Sequence, residues 1–323
     1  VRTLKKFTLS ASLAGSILFR AEKSDCIICG TNPELLLALL VLFQKLRGYR
    51  IIVLVHDVFP ENASTAGIVS RNSFTYRTVR SLFSWVYRQP DGMVVIGRDM
   101  KSLIEKQKRR TKSTVFIPNW IDHTDVRPIK RRESTILNDL GWQEKIVFQF
   151  FGNLGRLQGI ENLLAGIDQV DHPNAAFLFV GSGVQATAIQ RYCKDHPGRA
   201  VKYFDAIPNA TRSDVLAACD VALVSLNAGM YGLGVPSKAY FSMASDRPLL
   251  AVVDEGSEID RMIAQEKIGW VCRPGDPHGF AQTIHKICNA GPQSIAVSPR
   301  CALLERYSKE SSLRQFVNFV KDI

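Results

Sequence analysis

The apolar run Ile146-Val147-Phe148-Gln149-Phe150-Phe151 is followed at once by Gly152-Asn153-Leu154-Gly155-Arg156-Leu157-Gln158-Gly159, and then by Ile160, Leu163, Leu164 and Ile167 at helical spacing. This order predicts a buried strand, a glycine-rich turn and an amphipathic helix. Glycine has no Cβ, so the amides of such a turn can approach a phosphate closely, and the helix start adds partial positive charge. Arg156 supplies a full positive charge beside them. The segment therefore suits a nucleotide or another phosphorylated ligand. An ordinary βα turn that binds nothing has the same outline.

The rest of the chain alternates in the same manner. Strands are expected at 26–29, 51–56, 93–96 and 114–117 in the first half. In the second half they are expected at 146–151, 176–180, 201–204, 221–224, 249–253 and 269–272. Helical patterns fall between them at 33–46, 74–87, 100–108, 160–169, 186–194, 212–218, 237–244, 258–265 and 277–289. Repeated strand-helix units predict parallel sheets covered by helices. At 323 residues the chain exceeds one typical domain. The polar stretch 122–144, with Pro128 inside it, is the expected linker. The domains are accordingly 1–133, then 134–308, with 309–323 a terminal helix packing back on the first. A doubly wound domain should open on a strand and a glycine-bearing loop. Residues 1–21 offer neither, so the first domain is expected to be incomplete at its N-terminus.

Charge is unevenly placed. Residues 1–133 carry 23 Lys and Arg against 11 Asp and Glu, whereas the remainder carries 18 against 19. Basic clusters occur at Arg2/Lys5/Lys6, at Lys106/Lys108/Arg109/Arg110/Lys112 and at Lys130/Arg131/Arg132. Such a half suits a polyanion, and without aromatic interleaving an anionic membrane surface is favoured over nucleic acid. Solvated helix faces would carry the same charges. Residues 1–21 read as an amphipathic helix with Leu4, Phe7, Leu9, Leu13, Ile17 and Leu18 among basic residues. The longest apolar run, 35–43, is about half the length that spans a bilayer.

Seven cysteines are scattered through the chain. Cys26 and Cys29 form a C-x-x-C inside a strand pattern with no second pair, and read as core residues of a reducing cytoplasm. The histidines are dispersed and no DxD flanked by apolar residues is present, so no metal and no cofactor are expected.

The order GNLGRLQGIENLL, FLFVGSG, the strand-like CDVALVSL, GVPSKAYFSMASDRPLLA and EGSEI resembles the GT-B glycosyltransferases of family 4. It is most similar to the bacterial subgroup of colanic-acid, capsule and O-antigen assembly, which includes L-fucosamine transferases. VHDVFPENA, DGMVVIGRDM and FIPNWID resemble the acceptor-domain segments of that subgroup. The resemblance implies two facing Rossmann-like α/β domains. It also implies a retaining reaction with a UDP-linked nucleotide sugar as donor and no metal.

Residue by residue, it places the donor diphosphate at Gly152, Asn153, Gly155 and Arg156, and the base region near Gly181 and Gly183. Many members carry a lysine where this chain has Gln158. Pro236, Ser237 and Lys238 form the second phosphate candidate: proline suits a first helical position, and the helix start with its ammonium favours an anion. The family's pair of glutamates around this helix is replaced by Leu233 and Phe241, which leaves Glu258 as the carboxylate for a ribose hydroxyl. Glu258 would also suit the helix dipole alone. His56 and Asp57 end an apolar strand, where a parallel sheet presents its ligand crevice, and are the candidates to orient sugar or acceptor. Glu61 ranks behind them. His56 equally reads as a structural strand-end residue.

The expectation is a glycosyltransferase acting on a lipid-linked or saccharide acceptor for surface polysaccharide, cytoplasmic and peripheral to the inner membrane face. A GT-B-fold UDP-sugar epimerase and a non-catalytic nucleotide-sugar-binding fragment are the alternatives.

Overall fold

The computed structural model describes residues 2–107, 113–206 and 211–323, with side chains described from Thr8 onward. The basic side chains of Arg2, Lys5, Lys6, Lys108, Arg109, Arg110 and Lys112 thus lie outside the described residues. Contacts divide the chain into two units. One comprises Val1–Asn119, Tyr231–Val235 and Ser312–Ile323; the other comprises Trp120–Met230 and Pro236–Ser311.

The first unit holds α1 (Arg2–Arg20), β1 (Cys26–Gly30), α2 (Glu34–Arg47), β2 (Arg50–Val55), α3 (Glu61–Thr65), α4 (Phe74–Val86), β3 (Gly92–Val95), α5 (Arg98–Lys106) and β4 (Ser113–Phe116). Its four parallel strands run in sequence order, β1-β2-β3-β4. A right-handed crossover that always advances in one direction puts every connecting helix on one face of the sheet. The other face needs a cover from elsewhere in the chain. The last helix, α14 (Lys309–Lys321), supplies it: Phe319, with Phe316, Val320 and Ile323, packs on Ile52, Val94 and Ile117. The fit is close enough that a Cβ at Gly92 would meet the Phe319 ring at 3.0 Å.

Helix α1 forms where the amphipathic pattern places it. Among its described side chains, the fully buried ones are the small Ser10 and Ala14, one helical turn apart, and the helix packs on α2. Leu9, Leu13 and Phe19 are left exposed, Phe19 at 82%. Small residues let two helix backbones approach closely, which pushes the large side chains outward. The thiols of Cys26 and Cys29 sit in β1 as expected, and burial drives the Cys29 pKa up to about 12.

In the second unit come α6 (Thr135–Leu140), β5 (Ile146–Phe151), α7 (Ile160–Asp168), β6 (Ala175–Val180), α8 (Ala186–Asp195), β7 (Val201–Phe204), α9 (Arg212–Ala217) and β8 (Val221–Ser225). Beyond these lie α10 (Lys238–Ala244), β9 (Leu249–Val252), α11 (Glu258–Glu266), β10 (Gly269–Cys272), α12 (Pro277–Ala290) and α13 (Pro299–Arg306). The sheet order β10-β9-β8-β5-β6-β7 reverses direction between β5 and β8. Helices therefore cover both faces. Phe148, Phe150, Phe177 and Phe179 meet α7, α8 and α12 on one side, while Val147, Ala176 and Leu178 meet α6 and α9 on the other.

The stretch 122–144, expected as the linker, is folded into this second unit. Arg131 donates to Asp220 at 2.7 Å and to the carbonyls of Trp142, Gln143 and Lys145. Asp220 in turn accepts from the Val147 amide at 2.8 Å. One charged group thereby ties the stretch to β5 and to the start of β8.

Candidate glycosyl-transfer site

Because all strands of the second sheet are parallel, the loops after β5, β6, β8 and β9 leave at one edge. The order reversal between β5 and β8 splits the loops there and opens a crevice of the kind that receives ligands in such sheets. The glycine loop 152–159 follows β5 and lies at this point. It is bolted to the end of β8: the Asn227 amide donates to Leu157 O at 3.0 Å, and Asn227 Nδ2 donates to Arg156 O at 2.9 Å. Gly159 is required where the loop turns into α7. Its φ is +60°, and a Cβ would stand 2.7 Å from Ser225 Oγ and 2.9 Å from Leu226 O. The Arg156 side chain is exposed, and Asn153 is also exposed at the tip of the loop.

The second glycine turn has a reason of its own. Gly181 and Gly183 press on the first loop so closely that a Cβ on Gly181 would meet Gly152 O at 2.0 Å, and one on Gly183 would meet Leu154 O at 2.4 Å. Backbone bonds complete the pairing, Leu154 N to Ser182 O at 2.8 Å and Gln185 N to Leu154 O at 3.0 Å. The structure thus brings the two predicted glycine segments into one interlocked pair.

Lys238 joins them. Its Nζ donates to the side-chain oxygen of Gln158 on the glycine loop, and it lies 3.6 Å from the centroid of the Phe150 ring. Burial pushes its ammonium pKa well below the usual lysine range. The helix begins later than the sequence suggests. Lys238 is the first residue of α10 and Ser237 the cap, while the Pro236 carbonyl closes a preceding turn by accepting from Ala239 N. Pro236 therefore sits before the helix and not at its first position. At the same sheet edge, Glu258 opens α11 and is fully buried.

Within the first unit, His56 follows β2 and is exposed. Asp57 pairs as an isolated antiparallel bridge with Gly234, and Val58 N donates to Leu233 O at 3.1 Å. The segment 231–235 is held there by a second group that sequence reasoning did not single out. Buried Asp99 accepts from the Gly232 amide at 2.9 Å. Glu61 is buried and ion-paired with Arg80 at 3.1 Å. Gln158, Phe150 and Asn227 also escaped notice as site residues. Only the unusual glutamine at 158 was visible as a signal. Among the described residues, no group of three His, Cys, Asp or Glu is placed to hold a metal ion.

Two α/β units with parallel sheets, the second doubly wound with interlocked glycine loops at its switch point, define the GT-B class of glycosyltransferase. Residues 145–290, which contain both glycine loops, Lys238 and Glu258, match the family model described as Glycosyl transferases group 1. Over 304 residues the chain is 45% identical to the Pseudomonas aeruginosa protein named "Probable glycosyltransferase WbjE", across 94% of this chain and 76% of WbjE. The chain belongs to the group 1 glycosyl transferases. Among solved structures it is similar to Anabaena HepE in complex with UDP-glucose, with a TM-score of 0.78 at 15% identity, covering 98% of this chain and 82% of HepE. It is also similar to the lipopolysaccharide outer core galactosyltransferase WaaB, with a TM-score of 0.64 at 14% identity, covering 100% of this chain and 81% of WaaB.

Proposed function

We propose that this glycosyltransferase moves a sugar from a UDP-linked donor to a lipid-linked or saccharide acceptor in bacterial surface-polysaccharide synthesis, with retention of configuration at the anomeric carbon. The observation that carries the reading is the meeting of Lys238 with the glycine loop at the switch point of the second sheet. A desolvated amine beside backbone that glycines keep open is suited to a diphosphate, because an anion there restores the charge that burial disfavours. The likeness to HepE, solved with UDP-glucose, supports a UDP donor, and WaaB is named for lipopolysaccharide.

Transfer breaks the bond between the anomeric carbon and the β-phosphate oxygen and forms one to the acceptor hydroxyl oxygen, whose proton passes to the departing diphosphate. Charge then grows on the departing diphosphate and on the sugar ring. Arg156 and Lys238 neutralise the first, which is where fixed charge accelerates such a reaction most. Asn153, Gly152 and Gly155 shape the phosphate loop, Gly181 and Gly183 the base region, Pro236 and Ser237 the start of α10, and Glu258 takes a ribose hydroxyl. His56 and Asp57 orient sugar or acceptor. Glu61, already paired with Arg80, ranks behind them. With two cations supplied by the chain, transfer requires no metal, and activity should survive excess EDTA.

Unit one presents the acceptor side to the cytoplasmic membrane face. In support, exposed Leu9, Leu13, Phe19, Leu42 and Leu46 stand among exposed Arg20, Lys45 and Arg47 on α1 and α2. Apolar residues ringed by cations suit an anionic bilayer surface. Incubation with a panel of UDP-sugars and a polyprenyl-diphosphate-linked saccharide tests the reading. Transfer with retained configuration is expected. Release of a free epimer, or binding without turnover, would overturn it.

A further inference from the structure

We infer that Gln158 is a positioning residue for donor recognition: its side-chain carbonyl holds the Lys238 amine at the glycine loop and leaves the charge uncancelled for the donor's diphosphate. This rests on the proposed nucleotide-sugar reading and adds a residue whose role that reading does not assign.

The backbone on both sides of Gln158 cannot drift. Asn227 fixes the carbonyls of Arg156 and Leu157, Gln158 N donates to Gly155 O at 3.1 Å, and Gly159 is wedged against Ser225 and Leu226. A side chain mounted on such a loop has a defined reach, and it ends on Lys238 Nζ. The face of Phe150 lies on the amine at 3.6 Å. An aromatic face attracts a cation but takes no proton from it. The amide oxygen likewise accepts one of the three ammonium hydrogens without bearing charge, so the remaining donors stay available to phosphate oxygens. A carboxylate at 158 would neutralise the cation before any ligand arrived. An apolar residue would leave the ammonium without an acceptor, which a buried charge tolerates poorly. Glutamine is the compromise that satisfies both demands.

The surroundings bear this out. Among the described residues, no carboxylate is hydrogen-bonded or ion-paired to Lys238. Of the elements packed on α10, β8 and β9 carry no titratable side chain, α13 brings Arg300, Cys301, Glu305 and Arg306, Arg212 lies over the Phe241 ring, and Tyr307 lies against Tyr240. β5 contributes only Phe150, the loop brings Arg156, and α10 itself adds Tyr240. Burial lowers the pKa of Lys238. The charged form favours a diphosphate, so affinity should fall as pH rises through that lowered value. A glutamate at 158 would raise the pKa and move the fall to higher pH.

Calorimetric titration of the full chain with UDP and with UMP, across pH 7 to 9.5, tests the inference on wild type, Gln158→Met and Gln158→Glu. Both variants should lose roughly 10- to 100-fold in UDP affinity at neutral pH, the range of a charge-assisted phosphate contact. UMP, which lacks the β-phosphate, should change by less than about 3-fold, within the range of an ordinary neutral contact. Gln158→Glu should move the pH-dependent fall upward. Unchanged UDP affinity in both variants, or equal losses for UDP and UMP, would overturn the role of Gln158 while leaving donor binding intact. A wild-type chain that binds none of UDP, GDP or ADP would overturn this inference and the donor reading together.

Discussion

The two sheets are built from the same strand-helix unit, yet one runs in a single direction and the other turns back on itself. In the four-stranded sheet every crossover advances the same way, so one face lacks a helix from its own series and takes α14 instead. In the six-stranded sheet the chain starts in the middle and grows outward both ways. Both faces are then covered by local helices, and the reversal leaves a gap for loops. Strand order alone thus determines which unit must recruit a distant helix and which gains a switch-point crevice.

The largest expected effect breaks the first half of this comparison. Phe319→Ala should destabilise the four-stranded unit by about 3–5 kcal/mol, as for other buried aromatic truncations. Nucleotide binding by the second unit should persist in the same samples. Chemical denaturation followed by titration of the partly unfolded protein reads both. Loss of the two together would mean that the units do not respond separately.

Gly181→Ala is the counterpart in the second unit. Its Cβ would collide with the Gly152 carbonyl, and its φ of +142° is strained for any side chain. A cost of about 3 kcal/mol is expected, accompanied by weakened nucleotide binding as the two loops separate. A denaturation midpoint equal to wild type would show that the loops are not interlocked.

Smaller again, Arg156→Ala and Lys238→Ala should each weaken UDP binding by roughly 10- to 100-fold with little change in melting temperature. Unaltered titrations for both would remove the phosphate assignment from the switch point. The mildest effect concerns the outward face of α1 and α2. Cosedimentation should rise with acidic lipid content and weaken with salt, since exposed charges are screened over about 8–10 Å. Equal binding to neutral and anionic vesicles would count against an electrostatic contribution.

The strands were legible in the sequence because a parallel strand buried on both faces is a short continuous apolar run, as in Val221–Ser225 and Leu249–Val252. Helices with one apolar stripe, such as α7 and α12, were legible because their apolar residues recur at helical spacing. The short α3 and α6 were not, since five or six residues give too few turns for a period. The stretch 122–144 looked like a linker because its polarity is real. What folds it is tertiary: Arg131 pairs with Asp220, 89 positions away, and Ile136, Leu137 and Trp142 are buried in the core of the second unit. The candidate site divides along the same line. Glycines at 152, 159, 181 and 183 announce tight backbone, but the interlocking of the two turns is a tertiary fact. The contact between Lys238 and Gln158 spans 80 positions and no local pattern records it. The helix of residues 1–21 was legible, but not that the small Ser10 and Ala14 are its buried contact while Leu9, Leu13 and Phe19 face outward.

Consider finally the segment Tyr231–Val235, which leaves the second unit, is held in the first by Asp57, Val58 and Asp99, and returns as Pro236. With α14 also belonging to the first unit, that unit is written in three separate pieces of the gene. A chimaera that exchanges acceptor sides between two relatives cannot be made with one splice near Asn119. It must carry all three stretches, with junctions beside residues 119, 230, 235 and 311, or the transplanted sheet arrives without its cover and without the strap that Asp99 grips.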